Sequence, residues 1–362
     1  MAQTRATHLN HYFGTDHGFE PERSIAGNII YKRATPQNDV ERIVVKHSIL
    51  LPGAVATNRD DEIDEEEDIL NKLWGSEHNI RLLSILRNRY HRAARWNEPI
   101  NRSLQNPPPL LPWGLQINPR VYGNTLNFSF FVMEYLPRGT GEELLERCQE
   151  LEIASISEPL LWYFFLCLTR ACVGIAYPPN LGNHNPPAVL RETLPVAGRR
   201  ATRISHNDLH LGNIMFGDYD PRDTQPRCHR AAPILKIIDF GLSDSNSTPK
   251  VAQRQNLFQV GEVMHQLACL EEDPLLDMDE RPTCTVVDNE ANEEWDTYAS
   301  EGFCSSPNWS VEFRSLVCQC LAVEPEDRLL LGQVLQACER NVRRTQWRRL
   351  VDEVSEIFDD PN

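Results

Sequence analysis

Ser205-His206-Asn207-Asp208-Leu209-His210-Leu211-Gly212-Asn213-Ile214-Met215 is the most informative stretch of this 362-residue chain. It places an Asp, then an Asn five residues on, then an apolar, strand-like run. A tight loop with that spacing can aim a carboxylate at a substrate hydroxyl while an amide oxygen from its far end coordinates a magnesium ion. A second stretch, Leu235-Lys236-Ile237-Ile238-Asp239-Phe240-Gly241, reads as a buried strand that delivers Asp239, a second candidate metal ligand, at its carboxyl end. Either piece alone has a plainer reading, because an Asp in a loop is commonly a turn residue or a helix cap. Together and in this order they are not a chance pairing.

The rest of the composition is compatible with that chemistry. The length is about twice that of a typical domain, so two lobes or domains are expected. Apolar residues make up 41 % and charged residues 24 %, as in ordinary globular proteins. Lys plus Arg number 36 against 52 for Asp plus Glu, a net charge of −16 that repels phosphate backbones and argues against nucleic acid as a partner. The cysteines run from Cys148 to Cys338 with no C-x-x-C pair, so they read as reduced, mostly buried thiols. Met1 to Glu20 is polar and lacks the apolar core of a secretory signal, which leads us to expect an intracellular, cytoplasmic protein. The most apolar stretch, Pro159 to Leu168, falls short of the roughly twenty residues that span a bilayer. It reads as a buried helix, with no membrane partner.

Ser24 to Tyr31, Arg42 to Ile49 and Phe128 to Met133 have the composition of strands. Beyond Pro137 helical periods dominate, with candidates at Glu142 to Leu151, Glu158 to Ala176, Gln255 to Leu270, Val311 to Ala322 and Leu330 to Arg343. Asn106 to Pro112, Tyr177 to Pro187 and Asp218 to Pro233 read as surface insertions. In the acidic run Asp60 to Asp68, eight of nine residues are Asp or Glu. Carboxylates at a helix start account for most of it. Helical spacing nevertheless puts Glu66 on one stripe with Ile63, Leu70 and Leu73, where a carboxylate needs a cationic partner. The neighbouring Glu62, Glu65 and Glu67 allow a one-residue slip in that register.

With these residues in place, the sequence resembles the protein-kinase-like superfamily from about Ser24 to Arg343. Ile43-Val44-Val45-Lys46 is similar to the lysine strand V-A-I-K, and Glu66 is then its helix partner. Phe131-Val132-Met133-Glu134-Tyr135-Leu136 resembles the hinge between lobes. The resemblance implies an α+β, bilobal kinase-like fold. Residues 1–20 would be an extension, 21–136 a small strand-rich lobe with one main helix, 137–345 a larger helical lobe and 346–362 a tail. It implies ATP and Mg2+ as cofactors. Gly27, Ile29, Lys46, Met133, Glu134 and Leu136 would contact nucleotide, Asn213 and Asp239 would hold the metal, and Asp208 would accept the proton of the attacking hydroxyl. Glu324-Pro325-Glu326-Asp327-Arg328 resembles a late motif of protein kinases, which points to Ser or Thr of protein as acceptor.

Several positions depart from the pattern. Only Gly27 remains of the three glycines in the nucleotide loop. Asn207 replaces the loop Arg, which argues against switching by loop phosphorylation. Asn256 stands where an Asp usually braces the catalytic loop, and an amide can still accept hydrogen bonds there. The segment Leu242 to Gln255 is short and no A-P-E follows, so Arg328 lacks its usual partner. His210, in a D-L-H-x-G-N loop closer to aminoglycoside and choline kinases, is either a group near the transferred phosphoryl or a loop histidine satisfied by backbone. It motivates a small hydroxylated metabolite as the alternative substrate. The lost glycines and Asn207 motivate a non-catalytic scaffold as the third reading.

Overall fold

Alternation between fully and partly buried residues marks two strands, Asn28–Ala34 and Val40–His47, of the first of two units, which comprises Met1–Trp74, Ile80–Tyr135 and Asn180–Pro187. The protein is analysed as a computed structural model that describes residues 2–16, 18–25, 27–35, 39–48, 56–84, 130–179, 189–196, 198–221, 223, 228–271, 284–288, 293–345 and 350–359. In the first unit these form α1 (Ala2–His11), a π turn (Tyr12–Asp16), β1 (Glu20–Ile25), β2 (Asn28–Ala34), β3 (Val40–His47), α2 (Ala56–Lys72), β4 (Leu82–Ser84) and β5 (Phe130–Glu134). The five strands make one antiparallel sheet in the order β1-β2-β3-β5-β4.

The run Ser24 to Tyr31, expected to be one strand, is the heart of a hairpin. Gly27 turns the chain with φ +83°, a conformation open to glycine at little cost. Strand composition does not register such a reversal. Paired residues of an antiparallel sheet share a face, so Ile29 with Val45 and Tyr31 with Ile43 lie together, beside Val132. This face is covered by Leu9, Tyr12 and Phe13, all 5 % exposed or less. Arg5 is buried too and donates from Nη1 to the Ser48 carbonyl at 3.0 Å. Part of the stretch 1–20, set apart in the sequence as an extension, therefore builds this core. The opposite face carries Asn28, Ile30, Val44, Lys46, Phe131 and Met133.

The second unit comprises Gly75–Asn79, Leu136–Pro179 and Ala188–Asn362. Its elements are α3 (Gly141–Glu150), α4 (Glu158–Ala176), β6 (Ile214–Phe216), α5 (Cys228–Ala231), β7 (Leu235–Ile237), α6 (Pro249–Cys269), β8 (Cys284–Asp288), β9 (Glu293–Thr297), α7 (Glu301–Ser305), α8 (Val311–Cys320), α9 (Leu331–Arg344) and α10 (Val351–Phe358). The fold class is α+β. Helix α4 packs against α6 and α9, and every residue from Leu160 to Ala176 is buried. It is apolar enough to cross a bilayer by length and composition, but 94 % of its most apolar window is enclosed by protein. A buried core helix is what the short apolar run suggested.

Two expectations change. The helix predicted from Gln255 begins at Pro249, because Thr248 accepts the Val251 N–H and proline suits the first helical position. The segment after Gly241 thus shortens to Leu242–Thr248. Asp218 to Pro233 is not all surface: Asp223 and His229 are buried, held in place because Asp223 Oδ2 accepts the His229 N–H at 2.9 Å. Asn106 to Pro112 and most of Tyr177 to Pro187 lie outside the described residues.

Helices α6 and α8 touch at Gly261, where an added Cβ would sit 2.9 Å from Cys320 Cβ and 3.1 Å from Leu321 Cγ. Overpacking of that kind costs ~1–3 kcal/mol, against ~1 kcal/mol returned by alanine's helix propensity. Gly261→Ala is expected to lower the urea midpoint at unchanged slope, a loss of up to ~2 kcal/mol. A midpoint equal to wild type would contradict the close approach.

Candidate functional site

Lys46 and Glu66 meet within the first unit. Lys46 Nζ lies 2.9 Å from Glu66 Oε1 and 2.8 Å from Oε2. Glu66 is 2 % exposed and Lys46 15 %. The cation demanded by a carboxylate on the apolar stripe of α2 is therefore supplied by β3. Glu67 is also buried, and it is Glu66, as the helical register predicts, that the lysine meets. Breaking a buried pair by removing one partner costs ~3–5 kcal/mol, which ties the position of α2 to β3.

Strand register sorts the other residues expected at the nucleotide. Val44 and Met133 pair with each other and share the face of Lys46. Ile29 lies on the opposite face, in the core covered by α1, because it is one residue out of phase. Ile30 takes the place the sequence reading gave to Ile29. Counting parity back from Lys46 through the hairpin would have found it. Gly27 holds the turn, where its carbonyl accepts the His47 N–H at 3.0 Å. The Glu134 N–H donates to the Arg81 carbonyl at 3.0 Å, and its side chain accepts the Arg81 N–H at 2.8 Å. Leu136, in the second unit, is buried near Gly217.

The second unit assembles the remaining polar set around His206. This imidazole is fully buried. Its Nε2 lies 3.0 Å from the Ile238 carbonyl, and its Nδ1 accepts the Asp208 N–H at 3.3 Å. Both contacts are satisfied only by the neutral ring protonated on Nε2. The ring also meets Phe240 edge-on, with centroids 4.8 Å apart. The His206 N–H donates to Asn256 Oδ1 at 2.9 Å, and Asn256 Nδ2 donates to the Ile204 carbonyl. An amide thus does the bracing expected of position 256.

Asn213 Nδ2 donates to the Asp208 carbonyl at 2.7 Å and to Asp208 Oδ2 at 3.0 Å. With its nitrogen edge held, the amide has Oδ1 as its remaining polar atom. The Asn213 carbonyl accepts the Ile238 N–H at 2.9 Å, and Ile214 pairs with Ile237, so the segment entering Asp239 is stitched to the end of the loop. Asp239 adopts φ +57° and Asn207 φ +66°, left-handed conformations that Asp and Asn tolerate better than most residues. Asp239 Oδ1 accepts the Gly241 N–H at 3.2 Å.

Asn207 donates from Nδ2 to the Leu242 carbonyl and to Asp244 Oδ2 at 3.1 and 3.0 Å. Ser205 and Asp244 also exchange backbone hydrogen bonds. The loop and the segment after Gly241 are consequently tied by neutral and acidic groups, with Asp244 an anchor that the sequence reading did not pick out. Beside them is an open pocket of about 320 Å³ lined by Ser205, Asn207, Asp244, Asn246, Ser247 and Gln255. His210 is half exposed: its Nδ1 accepts the Gly212 N–H at 3.1 Å, and its Nε2 stands 4.0 Å from Asp208 Oδ2. It is a turn-capping residue that also faces the carboxylate. Arg328 is buried, donating from Nε to the Ala322 carbonyl at 3.0 Å with its guanidinium 4.2 Å above the Phe258 ring. Carbonyls and an aromatic face hold the guanidinium.

Neither protein-family models nor curated protein sequences give a match to this chain.

Burial is the main cause that pushes the His206 pKa down from 6.5 to about 4, against the field of Asp239 and Asp208, which raises it. The folded pKa is below the unfolded one. The stabilisation is thus complete above pH 6.5 and is lost as pH falls toward 4, by up to ~3 kcal/mol at ~1.4 kcal/mol per pH unit. An NMR titration of the His206 ring is expected to show the neutral Nε2–H tautomer persisting down to about pH 4. A midpoint near 6.5 would contradict the buried bridge.

Proposed function

We propose that this protein is a kinase-like phosphotransferase that uses ATP and Mg2+ to phosphorylate a hydroxyl group. The carrying observation is the arrangement in the second unit, where Asn213 holds Asp208 through its amide nitrogen while its backbone holds the segment that delivers Asp239. An amide oxygen and a carboxylate are hard donors that suit Mg2+, and zinc or copper sites prefer nitrogen and sulfur. Bound Mg2+ would neutralise phosphate charge. Asp208 orients the acceptor hydroxyl and takes its proton, with the carboxylate steadied by Asn213. Asn213 Oδ1 and Asp239 are the ligands offered to the metal. Lys46, kept in position by Glu66, supplies the positive charge for the α- and β-phosphates. Val44, Ile30 and Met133 offer the adenine an apolar surface on the face of Lys46. The hinge contacts fall to the Glu134 carbonyl, since its N–H is engaged by Arg81, and to the Leu136 backbone. Phosphoryl transfer needs positioning and charge more than covalent chemistry, so this small set suffices.

Ser or Thr of protein is the acceptor class favoured by Arg328, whose burial against Phe258 gives the late protein-kinase motif a structural role. A small hydroxylated metabolite is the second reading. It is favoured by the brevity of Leu242–Thr248 and by the polar pocket beside it, which leave little platform for a peptide.

Asp208→Asn is expected to lower phosphate transfer from labelled ATP by ~10²–10⁴-fold, the usual worth of a positioned base. Equal incorporation by wild type and variant would remove Asp208 from the chemistry. Protein and metabolite acceptors assayed side by side separate the two readings. Mg2+ with ATP is expected to raise the thermal midpoint of wild type but not of Asp239→Ala. No rise in wild type would favour a nucleotide-free scaffold and overturn the proposal.

A further inference from the structure

Outside these loops, the second unit buries three metal-ligating side chains together. His78 and His229 are 0 % exposed and Cys167 1 %. One ligand atom of each lies within 4.8 Å of the others. They come from three places: the Gly75–Asn79 segment, α4 and α5.

The hydrogen bonds identify which ring nitrogens face inward. His78 Nδ1 is 2.7 Å from Glu192 Oε2. That carboxylate also accepts the His78 N–H at 3.0 Å and a hydrogen bond from Ser76 Oγ. His229 Nδ1 is 2.8 Å from the Tyr163 hydroxyl, which donates to the Pro233 carbonyl at 2.7 Å. A hydroxyl that gives its proton to a carbonyl accepts from the ring, so His229 carries its proton on Nδ1. Both outer nitrogens are thereby occupied. Both Nε2 atoms are buried with no hydrogen-bond partner among the described residues.

Two bare imidazole nitrogens in a dry interior are costly as hydrogen-bonding groups. Protonating them does not help, since each Nε2–H would then be a buried donor without an acceptor. A carboxylate or hydroxyl on the far nitrogen, fixing tautomer and ring plane, is the usual second layer of a histidine metal site.

We propose that His78 Nε2, His229 Nε2 and Cys167 Sγ bind a Zn2+ ion as its three protein ligands, with Glu192 and Tyr163 orienting the two imidazoles. Ligand bonds of about 2.0–2.3 Å put donors roughly 3.5 Å apart, so closing on an ion asks each side chain for less than about 1 Å. Binding replaces the thiol S–H bond with S–Zn and releases one proton to solvent. Charge then balances: the dication is met by the thiolate and by the Glu192 carboxylate. The His78 carbonyl also accepts the Ile237 N–H at 3.0 Å, so the ion would clamp α4 and α5 to the strand that leads to Asp239.

The full-length protein, purified without added metal, is assayed for zinc, stripped with a chelator and titrated with Zn2+ alone. One zinc per chain, one proton released on binding and a thermal midpoint that rises with zinc concentration are expected. Co2+ in place of zinc is expected to give a thiolate-to-cobalt charge-transfer band, absent in Cys167→Ser. Glu192→Gln is expected to weaken zinc about 10–100-fold while keeping that band. Because the spectroscopy and titration are done on wild type, a variant that fails to fold does not obscure the result. Wild-type protein that takes up no zinc, or whose cobalt form lacks the thiolate band, overturns the site. Neither readout depends on phosphate transfer.

Discussion

A neutral, buried imidazole is the constraint on which the candidate site depends. His206 joins the backbone of Asp208 on one nitrogen and the carbonyl next to Asp239 on the other, and only one protonation state satisfies both. Two loops that are separate in sequence are thereby held at one ring. Asn256 fixes that ring's own backbone, and Asn213 closes the arrangement from the opposite end. The acidic side chains then sit on left-handed or tightly turned backbone, where local strain is balanced by the surrounding hydrogen bonds.

The first unit solves a different problem by a similar device. A carboxylate on the apolar stripe of α2 is tolerable only with a cation beside it, and Lys46 on β3 supplies one. The sheet then has two unlike faces. One is closed by α1 and the π turn, and the other presents Lys46 with half-buried apolar neighbours. Each unit therefore orders its charged groups through a buried polar contact and leaves the apolar packing to fix the framework.

Much of this was legible in the sequence. The loop Asp208 to Asn213, the strand before Asp239 and the long apolar helix follow from spacing and local periodicity; the need of Glu66 for a cation follows from the cost of burying a charge, and Lys46 as that cation follows from the resemblance to the lysine strand. Three readings failed for local reasons. Gly27 reverses a run that looks like one strand, and that reversal places Ile29 on the wrong face. Thr248 and Pro249 start a helix earlier than its apolar pattern does. Asp223 and His229 are polar residues in a polar stretch, yet they are buried because partners elsewhere in the chain satisfy them.

What the sequence determined by itself was the chemistry available and the elements that carry it: helix, strand and loop are set by neighbours within a few residues. The tertiary structure decided which polar groups meet. Glu66 rather than Glu67 faces the lysine, Asn256 braces His206, and His78, Cys167 and His229 converge from positions with no spacing in common. Such contacts depend on how helices and strands pack in three dimensions, and a polar side chain buried at a distance leaves no period in the chain to announce it.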